Sequence, residues 1–151
     1  MKAKISISRR PKSKAKKLPS LASLKAKCDK AFSIFIRTRD IDRDGTAACV
    51  TCGNRKPWRE LQCSHFVSRV HLSTRFLPLN AHQACGKCNV LLRGNMCEYA
   101  SYMEKTYGHG VIDRLLAEKR KTVKFSRQDY LNMIERFSGE AVNRPEWWMV
   151  K

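Results

Sequence analysis

Cys49-Val50-Thr51-Cys52-Gly53 is followed, 33 residues after Cys52, by Cys85-Gly86-Lys87-Cys88-Asn89. Two residues between paired thiols let both sulfurs point at one ion, and the glycines ease the backbone round it. Four thiolates match the tetrahedral preference of zinc. The spacing therefore predicts one structural zinc on Cys49, Cys52, Cys85 and Cys88. A redox dithiol is the competing reading of a single CxxC, but two such pairs in one small chain speak against it. Zinc binding of this kind supplies roughly 10–16 kcal/mol of apparent free energy, comparable with the whole stability of a small domain. Folding is expected to require the metal.

Outward from this frame, the chain has 151 residues, 42% of them hydrophobic, enough for one domain with a modest core. No apolar run approaches the roughly 20 residues that span a bilayer, and no apolar stretch follows the basic start. A cytoplasmic protein without a membrane partner is expected. Seven cysteines, an odd count without a secretory signal, argue against a disulfide framework. The formal charge of +18 points to a polyanion, and nucleic acid is the commonest.

Residues 1–20 read as a basic flexible tail. Arg9, Arg10, Lys12, Lys14, Lys16 and Lys17 lie there among Ser, Ala and two prolines, and are expected to contact DNA electrostatically. Eleven of the 31 basic and one of the 13 acidic residues fall in residues 1–30, a net +10, which leaves +8 for the rest. The body is therefore basic too. Residues 21–140 are expected to form the zinc-framed domain and 141–151 a C-terminal tail carrying Trp147 and Trp148.

Leu21, Leu24, Cys28, Ala31, Phe32 and Phe35 recur at helical spacing, predicting a helix over 21–39 capped by Ser20. Asp40-Ile41-Asp42-Arg43-Asp44-Gly45 imitates the start of a calcium loop. The twelfth position is Thr51 rather than a bidentate Glu, so the run reads as a turn. Two short strands are expected over 58–65 and 75–82. Helices are expected over 98–107, over 111–118, and from Ser126, where Ser126 and Asp129 resemble a capping box. The last is expected to turn Leu131, Ile134 and Phe137 inward and to end at Gly139.

The zinc frame encloses a second pattern. His65 falls 13 residues after Cys52, Asn80 15 after His65, and Asn89 9 after Asn80, directly behind Cys88. A knuckle that ends where a helix begins would fix Asn89 on the first turn, and strand pairing would bring His65 opposite it. An imidazole near neutral pKa can take a proton from water. An amide oxygen can hold a hard cation such as Mg²⁺ or Mn²⁺ beside a scissile phosphate. Asn80 would brace the loop between strands and helix. The His, Asn, Asn order inside the four-cysteine frame fits the HNH pattern, and the expected fold is α+β, a small core on that pattern with a four-cysteine zinc, surrounded by helices. Arg93, four residues after Asn89, would share its helix face and meet developing phosphate charge. Arg69 and Arg75 read as DNA-backbone contacts.

These segments resemble the NinG, or Rap, recombination proteins of lambda-like phages. The likeness rests on Phe35-Ile36-Arg37, the first knuckle, Ser64-His65-Phe66-Val67-Ser68-Arg69 and Thr74-Arg75-Phe76. It continues through Asn80-Ala81-His82-Gln83-Ala84-Cys85 and Cys88-Asn89 to Gly94-Asn95. The resemblance implies a phage-encoded endonuclease with a ββα-metal (HNH) core, acting on branched recombination intermediates such as Holliday junctions and D-loops. It also implies recombination proteins of phage or host as partners. The four-cysteine frame with Asn behind the last Cys is similar to the endonuclease VII resolvases, which implies a homodimer. The chain departs from these families in having Ser64 and Gln62 where relatives carry an Asp near the histidine. The second ligand of the catalytic metal is therefore open. Cys63 and His82 are candidates, and a single Asn with waters and phosphate oxygens is the favoured arrangement. Two alternatives stay open, a branched-DNA-binding protein that does not cut and an HNH nicking enzyme without junction selectivity.

Overall fold

The computed structural model describes residues 18–140. The basic tail positions Arg9, Arg10, Lys12, Lys14, Lys16 and Lys17, and Trp147 and Trp148, lie outside them.

Helix α1, Leu21–Thr38, begins at Ser20, whose hydroxyl accepts from the Ser23 amide at 3.2 Å. Its stripe buries Leu24, Cys28, Phe32, Phe35 and Ile36, while Leu21 on the first turn stays exposed. The acidic run after it is a turn, as its composition suggested: Asp44 Oδ1 accepts from both the amide and the hydroxyl of Thr46.

Two small antiparallel sheets follow. β1 (Thr46–Ala48) pairs with β2 (Arg55–Pro57), and β3 (Leu61–His65) pairs with β4 (Ala81–Cys85). The second register sets Leu61 opposite Cys85 and His65 opposite Ala81. Between β3 and β4 lies a four-residue helix, α2 (Leu72–Arg75), then a 3-10 turn Pro78–Asn80. The strand expected over 75–82 therefore starts only at Ala81. Pro78 donates no backbone hydrogen bond, and Asn80 turns its side chain onto the local backbone, so the chain loops before it extends. The strand expected over 58–65 likewise opens with a 3-10 turn, Trp58–Glu60.

Beyond β4, Lys87–Leu91 forms one wide helical turn. Helices α3 (Met96–Tyr107), α4 (Val111–Lys119) and α5 (Arg127–Glu140) complete the described chain. The capping box is present: the Ser126 amide donates to Asp129 at 2.7 Å and the Asp129 amide to Ser126 Oγ at 3.2 Å. It sets the helix phase so that Tyr130, Ile134 and Phe137 face α1, and Leu131 is 41% exposed rather than inward. The helix also runs through Gly139 instead of stopping there.

Three apolar clusters hold the parts together. α1, α5, Phe76 and Ala81 form an aromatic-rich core in which Phe32 and Phe137 ring centres lie 4.9 Å apart. Ala47, Leu61 and Ala84 pack round Cys49, Cys85 and Cys88. Val67, Tyr99, Met103, Val111 and Leu115 join α3 and α4 to the end of β3.

Candidate metal centre and adjoining cleft

Cys49 follows β1 directly and Cys52 sits in the tight turn after it. Gly53 adopts φ 72° there and donates its amide to the Cys49 carbonyl at 2.9 Å. Cys85 ends β4 and Cys88 lies one turn on. The Val50 amide ties the first knuckle to the Gln83 carbonyl of β4 at 3.1 Å. All four sulfurs lie within 4.8 Å of one another, and Cys52 Sγ and Cys85 Sγ are 3.9 Å apart. A tetrahedral zinc with Zn–S near 2.3 Å sets sulfurs roughly 3.8 Å apart, so the donors fit a structural metal such as zinc. Among the described residues this is the group of side chains that could hold one.

The sulfurs are unequal. Burial raises the Cys49 thiol, but hydrogen bonds from the Thr51 side chain and the Cys85, Thr51 and Cys52 amides outweigh it and bring it down to about 6. Burial pushes Cys52 up to about 12 and raises Cys88. A cation between the sulfurs would favour the thiolate forms of Cys52 and Cys88.

Beside this centre opens a cleft of about 500 Å³ lined by residues of α1, β3 and the turn after Cys88. His65, Asn89, Gln62, Asp29, Cys63 and Arg69 all contribute to its wall. His65 ends β3, its ring tilted against Phe32 with centroids 5.8 Å apart. Its Nε2 lies 2.9 Å from the Arg75 backbone carbonyl. A carbonyl only accepts, so the proton sits on Nε2 and Nδ1 keeps its lone pair. Burial holds this imidazole below its ordinary value of 6.5, and the charges of Arg75 and Arg69 act in the same direction against the hydrogen bond to the Arg75 carbonyl. It is neutral at neutral pH.

Asn89 directly follows Cys88, and its Nδ2 donates to Gln62 Oε1 at 2.7 Å. That bond fixes which way the amide points and leaves Oδ1 as its accepting atom. Asn80 does not line the cleft. Fully buried, it accepts from the Val67 amide at 2.7 Å and donates to the Val67 and Thr74 carbonyls at 2.9 and 3.0 Å, bracing the loop as its position suggested.

Three expected site residues stand elsewhere. His82 is fully buried and both its nitrogens are taken. Tyr107 donates to Nε2 at 2.7 Å, Nδ1 donates to Tyr99 Oη at 3.0 Å, and Tyr99 donates to the Ser64 carbonyl at 2.9 Å. No lone pair is left for a metal, and burial drives its pKa well below 6.5. Arg75 is buried and paired with Asp29 at 2.7 Å, so it is not a DNA-backbone contact. Arg93 does not continue the turn that carries Asn89. That turn ends at Leu91, and Arg93, Gly94 and Asn95 all take positive φ, reversing the chain. Arg69 does sit exposed on the cleft rim. Cys63 is an unsuitable hard-cation ligand, since burial pushes its thiol up to about 12.

Sequence reasoning missed Asp29 and undervalued Gln62. Asp29 carried one signal, as the sole acidic residue before Asp40. Gln62 was read as a missing carboxylate, whereas it orients Asn89.

These features define a small α+β protein with a four-cysteine cluster that could hold a structural metal, set beside a histidine–asparagine cleft. The chain belongs to the NinG family: the family described as Bacteriophage Lambda NinG protein matches residues 2–143. Neither a curated protein nor a solved structure matches it. Among the described residues no helix is long and apolar enough to cross a membrane.

Proposed function

We propose that this protein is a metal-dependent DNA endonuclease of the HNH type that cuts branched recombination intermediates by phosphodiester hydrolysis. The observation that carries the reading is that His65 and Asn89 line one cleft, each with one side of its side chain already fixed. The β3–β4 hairpin and the helical turn after Cys88 would be the ββα-metal core, with the zinc as its frame. His65 Nδ1, neutral and without a hydrogen-bond partner among the described residues, would take the proton from the attacking water. Asn89 Oδ1 would hold Mg²⁺ or Mn²⁺, which when bound supplies charge stabilisation at the leaving 3′-oxygen. Arg69 on the rim would contact the phosphate backbone. The products would carry 5′-phosphate and 3′-hydroxyl ends.

Branched DNA as the partner is supported by family membership and by the +18 charge. A homodimer belongs to the same proposal. Val90, Leu91, Leu92 and Met96 form an exposed apolar run that a second copy could cover, and sedimentation equilibrium tests it. The reading is tested by incubating end-labelled four-way junctions and the matching linear duplex with the protein in Mg²⁺, Mn²⁺ or EDTA. Metal-dependent cutting confined to the junction is the expected result. Equal cutting of both substrates would favour a nicking enzyme without junction selectivity. Junction binding without cutting would favour a non-cleaving protein, a second reading favoured by the side chain bonded to Asn89 being the Gln62 amide and not a carboxylate.

A further inference from the structure

We propose that Asp29 is a positioning residue for His65, acting through the side chain and then the backbone of Arg75. The functional consequence rests on the nuclease reading above; the positioning itself does not. Asp29 Oδ1 accepts from Arg75 Nε at 2.8 Å and Oδ2 accepts from Arg75 Nη2 at 2.7 Å. This is a two-pronged pair, the geometry in which a guanidinium is held most firmly. The third guanidinium nitrogen, Nη1, donates to the Arg69 carbonyl. One side chain thus ties α1 to both ends of the 69–75 segment.

Within that segment the Asn80 side chain holds the Thr74 carbonyl, and the Arg75 side chain holds the segment to α1. α2 has four residues, too few for a helix to be stable by its internal bonds. Yet its last residue supplies the carbonyl to which His65 Nε2 is bonded. The direction of that carbonyl is therefore set by the Arg75 side chain, and the Arg75 side chain by Asp29. The Arg75 side chain is 11% exposed and Asp29 31%, so loss of the carboxylate leaves a largely buried cation without its partner. The guanidinium would then turn towards water and take the carbonyl with it. The groups facing the imidazole are Arg75, Arg69 and Asp29, with the Phe32 ring beneath it. None of them replaces the lost acceptor: Asp29 acts on the imidazole directly only by its charge, and the hydrogen bond on Nε2 is to the Arg75 carbonyl. An imidazole without that acceptor distributes its proton between Nε2 and Nδ1. The Nδ1–H form has no lone pair on the cleft side. Both Asp29 oxygens accept from Arg75, so its carboxylate charge is offset there.

Long-range ¹H–¹⁵N spectra of the full-length, zinc-loaded protein read the His65 tautomer directly. In the wild type His65 is expected to be a single neutral Nε2–H form. In Asp29→Asn, which keeps the shape and removes the charge, the Nδ1–H form is expected to appear. The junction-cutting kcat is expected to fall at least tenfold, with KM within twofold. Asp29→Glu, which keeps the carboxylate, is expected to retain the Nε2–H form. Zinc content and helical circular dichroism report folding. If Asp29→Asn does not fold, Arg75→Lys, which keeps the charge but cannot form the two-pronged pair, is expected to show the same tautomer change. An unchanged Nε2–H form in the folded variant would overturn the proposal. A wild type that holds the Nε2–H form but cuts no DNA would remove the nuclease reading alone.

Discussion

The side-chain amide of Asn89 donates to Gln62 Oε1 at 2.7 Å, joining the turn after the second knuckle to the second residue pair of the β3–β4 hairpin. In the proposed nuclease, Gln62 would orient Asn89 as the ligand of the catalytic metal. Gln62→Ala is expected to free the Asn89 amide to rotate. Loss of such a supporting hydrogen bond typically costs about 10–100-fold in metal affinity or activity. The Mg²⁺ concentration for half-maximal cutting should rise by that order, measured by titration at saturating DNA. An unchanged requirement would mean that Asn89 Oδ1 does not hold the cation.

The His65 imidazole is held below 6.5, chiefly by burial. A base must be neutral to accept a proton, so cutting is lost as pH falls through the folded value, which lies below 6.5. The rate should stay level from pH 7 to 8. A rate that keeps climbing tenfold per pH unit across that range would assign the base to another group.

His82 gives a stability change of defined sign. The unfolded chain takes up a proton on it near 6.5, whereas the folded chain refuses it until well below. The unfolded state therefore binds more protons in that window. Stability is full above 6.5 and is lost as pH drops through it. Tyr107→Phe removes the donor to His82 Nε2, and a buried acceptor left unsatisfied costs about 1–3 kcal/mol. Urea unfolding at pH 7.5 and pH 5.5 measures both effects. Cutting at 25 °C should be unaffected by this substitution, since His82 lies outside the cleft wall.

Cys49 and Cys85 are each anchored to a strand end, so a metal held there would close a loop between the two sheets. Removal of zinc by a chelator, or Cys88→Ser, is expected to unfold the hairpin and the turn that carries Asn89. Added Mg²⁺ should not restore activity, whereas stoichiometric zinc should. Circular dichroism with zinc quantification follows the transition. Retention of the fold without metal would show that the frame is not structural.

Much of this was legible where one local pattern fixes one outcome. The paired CxxC spacing, the α1 stripe and the Ser126–Asp129 cap are all written within a few residues of the groups they organise. The expected strand over 75–82 failed because Pro78 and the Asn80 side chain, not apolar alternation, decide that backbone. The placements of His82 and Arg75 were not legible for another reason. Their partners lie 17, 25 and 46 residues away, and only the folded chain brings Tyr99, Tyr107 and Asp29 to them. Leu131 misled because its spacing groups it with Ile134 and Phe137, whereas Tyr130 fills that place in the core and Leu131 stays exposed.

The most direct measurement of the central claim is single-turnover cutting of a four-way junction in Mg²⁺ by wild type, His65→Ala and Asn89→Ala, each shown to be folded and zinc-loaded. The expected result is metal-dependent cutting by the wild type and a loss of at least a hundredfold in either variant, with junction binding kept. Cutting by His65→Ala at the wild-type rate would contradict it.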